Sequence, residues 1–310
     1  MKLPTTDLQI EALLPSSIDG MRLCARTVSI DGRVALLFSN AREKWEKVNK
    51  KRIDHPEVEG FGQIVIVEAD GRCVSTAQFK ITSDEVKFDL LANGGWVIIR
   101  HDTRDLPSES SDASVHDISG AMTASFRAGG AVEFVQCNDI GQVVIGHGDE
   151  GGDGEGLTCF GSNGTPVFKY YYPGEEDEPD YGLATWCCYA LNVTDEAIWT
   201  QYYAHMLVTK IGSDGQASRW RPLRRGARAL AVADNYIGML GRYNQYVSTL
   251  FVYRLHEPPK SKVVAITKLL CDGVPLSSGD EVIGRGDTLY IFKGAGLYKL
   301  CLRDIPAVTA

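Results

Sequence analysis

The side chains with most scope for chemistry gather in one glycine-rich stretch. Gly146-His147-Gly148-Asp149-Glu150-Gly151 follows the apolar run Gln142 to Ile145 and has the glycine spacing of a dinucleotide-binding loop. Such a site also needs a helix whose amino end faces the pyrophosphate. Here more glycine and another apolar run follow, and the loop's own carboxylates would repel phosphate. Those carboxylates, Asp149, Asp153 and Glu155, suit a hard cation such as Ca²⁺, which prefers oxygen ligands, although their spacing is not that of an EF-hand. For nucleophilic catalysis the signals are missing: there is no HExxH, GxSxG, Walker or SxxK pattern. The six histidines (His55, His101, His116, His147, His205, His256) fall in separate segments with no local partner pattern. A triad assembled from distant residues stays open on this reading. Eight cysteines (Cys24, Cys73, Cys137, Cys159, Cys187, Cys188, Cys271, Cys301) form no CxxC or CxxxC pair, so neither a zinc site nor a redox dithiol is signalled, and they read as small buried hydrophobes.

Binding chemistry is better represented than catalytic chemistry. Glu175, Glu176, Asp177, Glu178 and Asp180 lie beside Tyr170, Tyr171, Tyr172 and Tyr181, one acidic and aromatic quadrant a few residues before Trp186. Two basic segments oppose it. One holds Arg219, Arg221, Arg224, Arg225 and Arg228; the other holds Arg42, Lys44, Lys47, Lys50, Lys51 and Arg52 around Trp45. Tyr, Trp and Arg are the residues in which interfaces concentrate their energy, and opposed charge sets orientation and association rate. The alternative is that these are solvated loops. Overall the chain carries 40 acidic and 32 basic side chains, a formal charge of −8, which argues against nucleic acid and anionic membrane as partners. No apolar run reaches membrane-spanning length. Asp7 and Glu11 stand where a secretory signal would need its apolar centre, so the expected location is the cytoplasm.

The elements that must carry these residues are strands. Short β-branched or aromatic runs recur throughout, among them Val34 to Phe38, Gln63 to Val67, Trp96 to Arg100, Ala197 to Thr200, Tyr236 to Leu240 and Leu289 to Phe292. Only Ala41 to Lys51 has a pattern that suits a few helical turns. Between the runs, two sets of Asp/Asn/Gly turns alternate. One includes Asp31-Gly32, Asn93-Gly94-Gly95, Asn138 to Gly141, Asp234-Asn235 and Gly286-Asp287; the other includes Asp70-Gly71, Ser119-Gly120, Asn163-Gly164 and Asp214-Gly215. These residues tolerate the backbone of tight hairpins. The alternation defines a four-strand unit, A-turn-B-loop-C-turn-D. Copies are expected at about 22–82, 87–127, 132–170, 187–220, 228–270 and 281–303, roughly the length of a propeller repeat. Arg285-Gly286-Asp287, though it spells an adhesion tripeptide, falls in an A-B turn of this scheme. The last copy lacks a strand, and Leu8 to Leu14 is a strand without a copy; together they complete one unit.

On these turns and repeats the whole chain resembles a six-bladed β-propeller, an all-β ring in which pairing of the chain's two ends hides the sheet edges. It matches neither the WD40 nor the kelch signature. Seven blades, with the long first copy split, is the alternative count. The resemblance implies that the innermost A strands line a channel and that the long D-A and B-C connections share one face, where function is expected. In six-bladed propellers of the lactonase and phosphotriesterase kind a divalent metal sits at the channel mouth. The analogous positions here, near the starts of the A strands, would be Asp89, Glu133, Trp186, Arg228 and Glu281. Arg228 would oppose a cation there, a departure from that pattern.

The expected function is therefore a non-catalytic scaffold for a protein or peptide, the partner being basic where the 175–178 carboxylates grip it. Trp45, Tyr171, Tyr172, Glu175, Glu176, Asp177, Glu178, Trp186, Arg224, Arg225 and Arg228 are its candidate contacts. No cofactor is expected; Asp149, Asp153, Glu155, Glu133 and Glu281 are the places for Ca²⁺ or another divalent ion. A metal-dependent hydrolase and a carbohydrate- or small-ligand-binding propeller are the alternatives.

Overall fold

A computed structural model describes residues 3–41, 45–48, 51–54, 60–68, 72–76, 78–81, 83, 85–101, 110–148, 156–170, 187–203, 206–223 and 226–309. Six sheets, each built on four antiparallel strands, succeed one another along the chain, and each innermost strand packs against the innermost strands of the blades before and after it. The chain is a six-bladed β-propeller. In order A to D, blade 2 is Val86–Leu90, Trp96–Arg100, Ala113–His116 and Met122–Phe126. Blade 3 is Val132–Cys137, Gln142–His147, Leu157–Gly161 and Pro166–Tyr170. Blade 4 is Cys188–Val193, Ala197–Tyr202, Val208–Gly212 and Ala217–Trp220. Blade 5 is Ala227–Ala233, Tyr236–Gly241, Thr249–Leu255 and Ser261–Cys271.

Blade 1 is not split. Its strands Met21–Val28, Val34–Ser39, Gly60–Val67 and Phe79–Ile81 form one sheet, so the count is six and not seven. Its insertion corrects one expectation. Within Ala41 to Lys51, where helical turns were expected, Trp45–Val48 instead pairs antiparallel with Lys51–Asp54, in the register Trp45↔Asp54 and Val48↔Lys51. An isolated helix of this length is marginal in water, whereas the hairpin pairs four residues of one strand with four of the other.

The turns explain why the strands end where they do. Gly32 and Gly215 adopt φ of 81° and 77°, open to glycine without a Cβ penalty, and Asp214 Oδ1 accepts the Gln216 amide at 3.0 Å to fix the second of these turns. Between the turns, the apolar strands bury both faces, because each blade is covered by the next. Val97, Ile99 and Val115 of blade 2 pack with Val132, Val135 and Val143 of blade 3; Leu36 and Phe38 of blade 1 pack with Tyr290 and Phe292 of blade 6. Each fully buried side chain of this size contributes roughly 1.5–3 kcal/mol relative to exposure.

The ring closes as expected, with one addition. Blade 6 takes Glu281–Arg285, Thr288–Lys293 and Gly296–Cys301 from the end of the chain, and its fourth strand, Ile10–Leu13, from the beginning. The single strand foreseen over Leu8 to Leu14 is in fact two. Thr5–Leu8 runs parallel to the outer strand of blade 5, from Thr5↔Lys268 to Leu8↔Cys271. The segment thus ties the outer strand of blade 5 to the last blade. A short C-terminal extension adds Leu302 and Ile305 to the core under the same two blades.

Candidate functional site

The channel has two unlike ends. The A strands run from the loop face, where the D-A and B-C connections lie, to the turn face. At the turn end their last side chains meet in a buried polar network that crosses from blade to blade. Arg285 of blade 6 donates to Asp89 Oδ2 of blade 2 at 2.9 Å, and to Gln136 Oε1 and the Cys137 carbonyl of blade 3 at 3.0 and 2.6 Å. Asp89 also accepts the Thr27 hydroxyl of blade 1 at 2.8 Å and the Cys137 amide at 2.6 Å. Gln136 accepts the Val193 amide of blade 4 and donates to the Gly284 carbonyl of blade 6. Asn192 of blade 4 donates to the Leu230 carbonyl of blade 5 and exchanges two hydrogen bonds with the backbone of Gly286. All six blades are joined in this floor.

This placement changes the reading of Asp89. It is the fourth residue of its strand, at the turn end, and not near the loop-side start where a metal of the lactonase kind would need it. Both its oxygens are taken by donors, one of them a guanidinium. Burial pushes its carboxyl up, and the adjacent Arg285 pulls it back down.

At the loop end, Glu281 and Glu133 stand near the starts of the A strands of blades 6 and 3, on opposite sides of the ring. Glu281 is engaged by Arg26 at 3.0 Å. Arg228 gives its terminal nitrogens to the carbonyls of Ser277, Asp280 and Val247 at 2.8 to 3.0 Å, which fastens the connection between blades 5 and 6. Among the described residues no three His, Cys, Asp or Glu side chains come together as a metal site. His147, from the glycine-rich stretch, is buried, with its ring nitrogens on the Gly130 carbonyl and the Thr158 hydroxyl. Asp149, Asp153, Glu155, Tyr171, Tyr172, Glu175, Glu176, Asp177, Glu178, Trp186, Arg224 and Arg225 lie outside the described residues. Trp45 opens the first strand of the blade 1 hairpin.

The loop face does contain an aromatic and cationic cluster, built from residues not singled out above. Tyr189, near the loop-side start of the A strand of blade 4, is 8% exposed. The Arg242 guanidinium lies over its ring at 4.2 Å, and the rings of Tyr203 and Tyr243 lie 5.4 and 6.0 Å from it. The Tyr243 and Tyr189 hydroxyls are hydrogen-bonded to each other. Burial first, then that contact with Tyr243, push the Tyr189 phenol well up. Backbone holds the cluster: Tyr203 N donates to the Cys187 carbonyl at 3.0 Å and Arg242 N to the Gly226 carbonyl at 2.9 Å. Gly226 is required twice over, by its φ of 79° and because a Cβ there would come within 2.5 Å of the Tyr243 ring. Tyr203 and Tyr243 remain 44% and 41% exposed. The only sequence signal was positional: both tyrosines follow the B strand of their blade, in the B-C connections expected to carry function.

No family model and no curated protein matches this chain. Among solved structures it is similar to Hsv2 from Kluyveromyces lactis, at 8% identity over 88% of this chain and 71% of that one, with a TM-score of 0.52. It is also similar to virginiamycin B lyase from Staphylococcus aureus, at 11% identity over 93% of this chain and 96% of that one, with a TM-score of 0.49. At such identities the likeness is one of fold.

Proposed function

We propose that this propeller is a non-catalytic scaffold that engages a protein or peptide through its loop face. The observation that supports this best is the pair of half-exposed tyrosines, Tyr203 and Tyr243, braced on a buried Tyr189 and an Arg242 guanidinium at the mouth of the ring. Rigid aromatic and Arg side chains contribute contact area at low entropic cost and are enriched where binding energy concentrates. The polar floor gives the ring a fixed shape, so loops can vary above it without disturbing the sheets. In this reading the carboxylates of Glu175, Glu176, Asp177 and Glu178 steer a basic part of the partner, and the location is the cytoplasm.

Panning a random peptide library against the immobilised protein tests the proposal. Enriched peptides should lose affinity for the Tyr203→Ser/Tyr243→Ser variant and keep it for Val274→Ser, an exposed site near the rim of blade 5. Replacing all four carboxylates with Ser should slow association and flatten its salt dependence. No enriched peptide, together with a hydrolytic activity on lactones or phosphotriesters that disappears in Glu133→Gln, would overturn the scaffold in favour of the hydrolase.

A further inference from the structure

The tyrosine cluster has more donors than acceptors. The Tyr189 and Tyr243 hydroxyls share a single hydrogen bond, so one phenolic proton of the pair is left over whichever of the two donates. Tyr189 is more than nine-tenths buried and Tyr243 is 41% exposed, so the pair of hydroxyls reaches from the wall of the cluster to its mouth. Beside it, Arg242 stacks on the ring and makes one long contact, 3.5 Å, from Nη1 to the Tyr189 carbonyl. Among the described residues no carboxylate pairs with this guanidinium. Cation and unspent hydroxyl proton therefore stand together, with the ring edges of Tyr203 and Tyr243 exposed at the rim.

From this we infer that the corner between blades 4 and 5 is a carboxylate-binding site, which takes an Asp or Glu side chain of a peptide partner with an aromatic neighbour lying on Tyr203 and Tyr243. The inference rests on the scaffold reading above and specifies what one part of its face recognises. A carboxylate fits the donors present: its two oxygens can take the guanidinium fork and the phenol proton at once. A phosphate would bring about twice the charge to one guanidinium, on a chain whose net charge is already −8. The site asks for the opposite sign from the one the 175–178 carboxylates would attract, so the two contacts would read different parts of a partner and fix its orientation.

The test uses two fluorescein-labelled hexapeptides that differ at one position, a Glu-Phe centre against a Gln-Phe centre, titrated by fluorescence anisotropy into the full chain. The Glu-Phe peptide should bind about 10-fold or more tightly, as expected for charge-assisted hydrogen bonds. Arg242→Gln should remove that advantage, so that the two peptides bind alike, and Arg242→Lys should restore only part of it. Tyr189→Phe/Tyr243→Phe, which removes both phenol protons and keeps both rings, should weaken the Glu-Phe peptide selectively, and a thermal melt of each variant checks that the blade is intact. Equal affinity for the two peptides, an undiminished preference in Arg242→Gln, or no binding of either peptide would overturn the carboxylate site. Library-selected peptides that need Tyr203 and Tyr243 but ignore Arg242 would overturn it too, and would leave the scaffold reading standing.

Discussion

Arg285→Met keeps the apolar stem of the side chain and deletes the three hydrogen bonds it donates to Asp89, Gln136 and Cys137. Asp89 is left fully buried with the Thr27 hydroxyl and the backbone amides of Cys137 and Leu90 to compensate its charge. Removing one partner of a buried ion pair destabilises by about 3–5 kcal/mol, a large part of the roughly 5–15 kcal/mol that holds a native domain. The loss should depend on pH. Unfolded, Asp89 titrates near 3.9; folded, burial holds its carboxyl above that, and without Arg285 it is held higher still. The native variant therefore binds more protons than the unfolded chain above pH ~4, and its stability falls as pH rises through that window. Urea unfolding followed by tryptophan fluorescence at pH 7.5, 6 and 4.5 should show the deficit against the parent largest at pH 7.5 and shrinking toward 4.5. Adding Asp89→Asn, which removes the charge and keeps an acceptor oxygen, should recover more than half of it at pH 7.5. A deficit under ~1 kcal/mol, or one that neither changes with pH nor responds to Asp89→Asn, would refute the assignment of this pair as the charged centre of the floor.

Three further outcomes are expected. Gly284→Ala would place a methyl 1.7 Å from the Leu230 carbonyl oxygen, where blades 5 and 6 meet at the axis, and should yield no soluble folded protein; Gly215→Ala, with nothing within 4 Å, should express normally and cost only the ~1–2 kcal/mol of a left-handed backbone. His116 is held neutral by burial, against the Gly120 carbonyl that would favour its protonation, so stability should fall as pH drops below the unfolded value of ~6.5; His116→Gln should flatten the urea midpoint between pH 7.5 and 5.5. Deleting residues 1–14 should uncover the outer edges of Ser261–Cys271 and Gly296–Cys301 and cause aggregation in light scattering, and a truncated chain that stayed monomeric with an unchanged melting temperature would refute the closure.

Blade architecture was legible because its signals are local. The apolar runs and the Asp31-Gly32 or Asp214-Gly215 turns each specify a hairpin over a dozen residues, and the missing strand of the last blade could be matched to the spare one at the start. What joins the blades was not legible. Arg285 read as part of a turn and is the strand residue next to it, but its partner Asp89 lies 196 positions away, and no periodicity connects them. Asp89 itself was placed at the wrong end of its strand, because a shift of a few residues is invisible to a degenerate repeat. Tyr189, Tyr203 and Tyr243 were passed over for the denser aromatic run at 170–172: composition shows where such residues are frequent, whereas a cluster depends on the curvature that brings successive B-C connections to one corner. The parallel pairing of Thr5–Leu8 escaped for the same reason, since it exists only once the ring has closed.

That closing segment also sets an order of events. Thr5–Leu13 is synthesised well before its partners, Lys268 to Cys271 and Gly296 to Tyr298, which come about 260 to 290 residues later. At ribosomal rates of about 5–20 residues per second, the delay is roughly 15 to 60 s. Over that interval blades 1 to 4 can assemble as an open arc while the N-terminal segment waits without its sheet. The final docking is thus the step at which an incomplete ring is most exposed to capture by a chaperone or by the unpaired strand of another nascent chain.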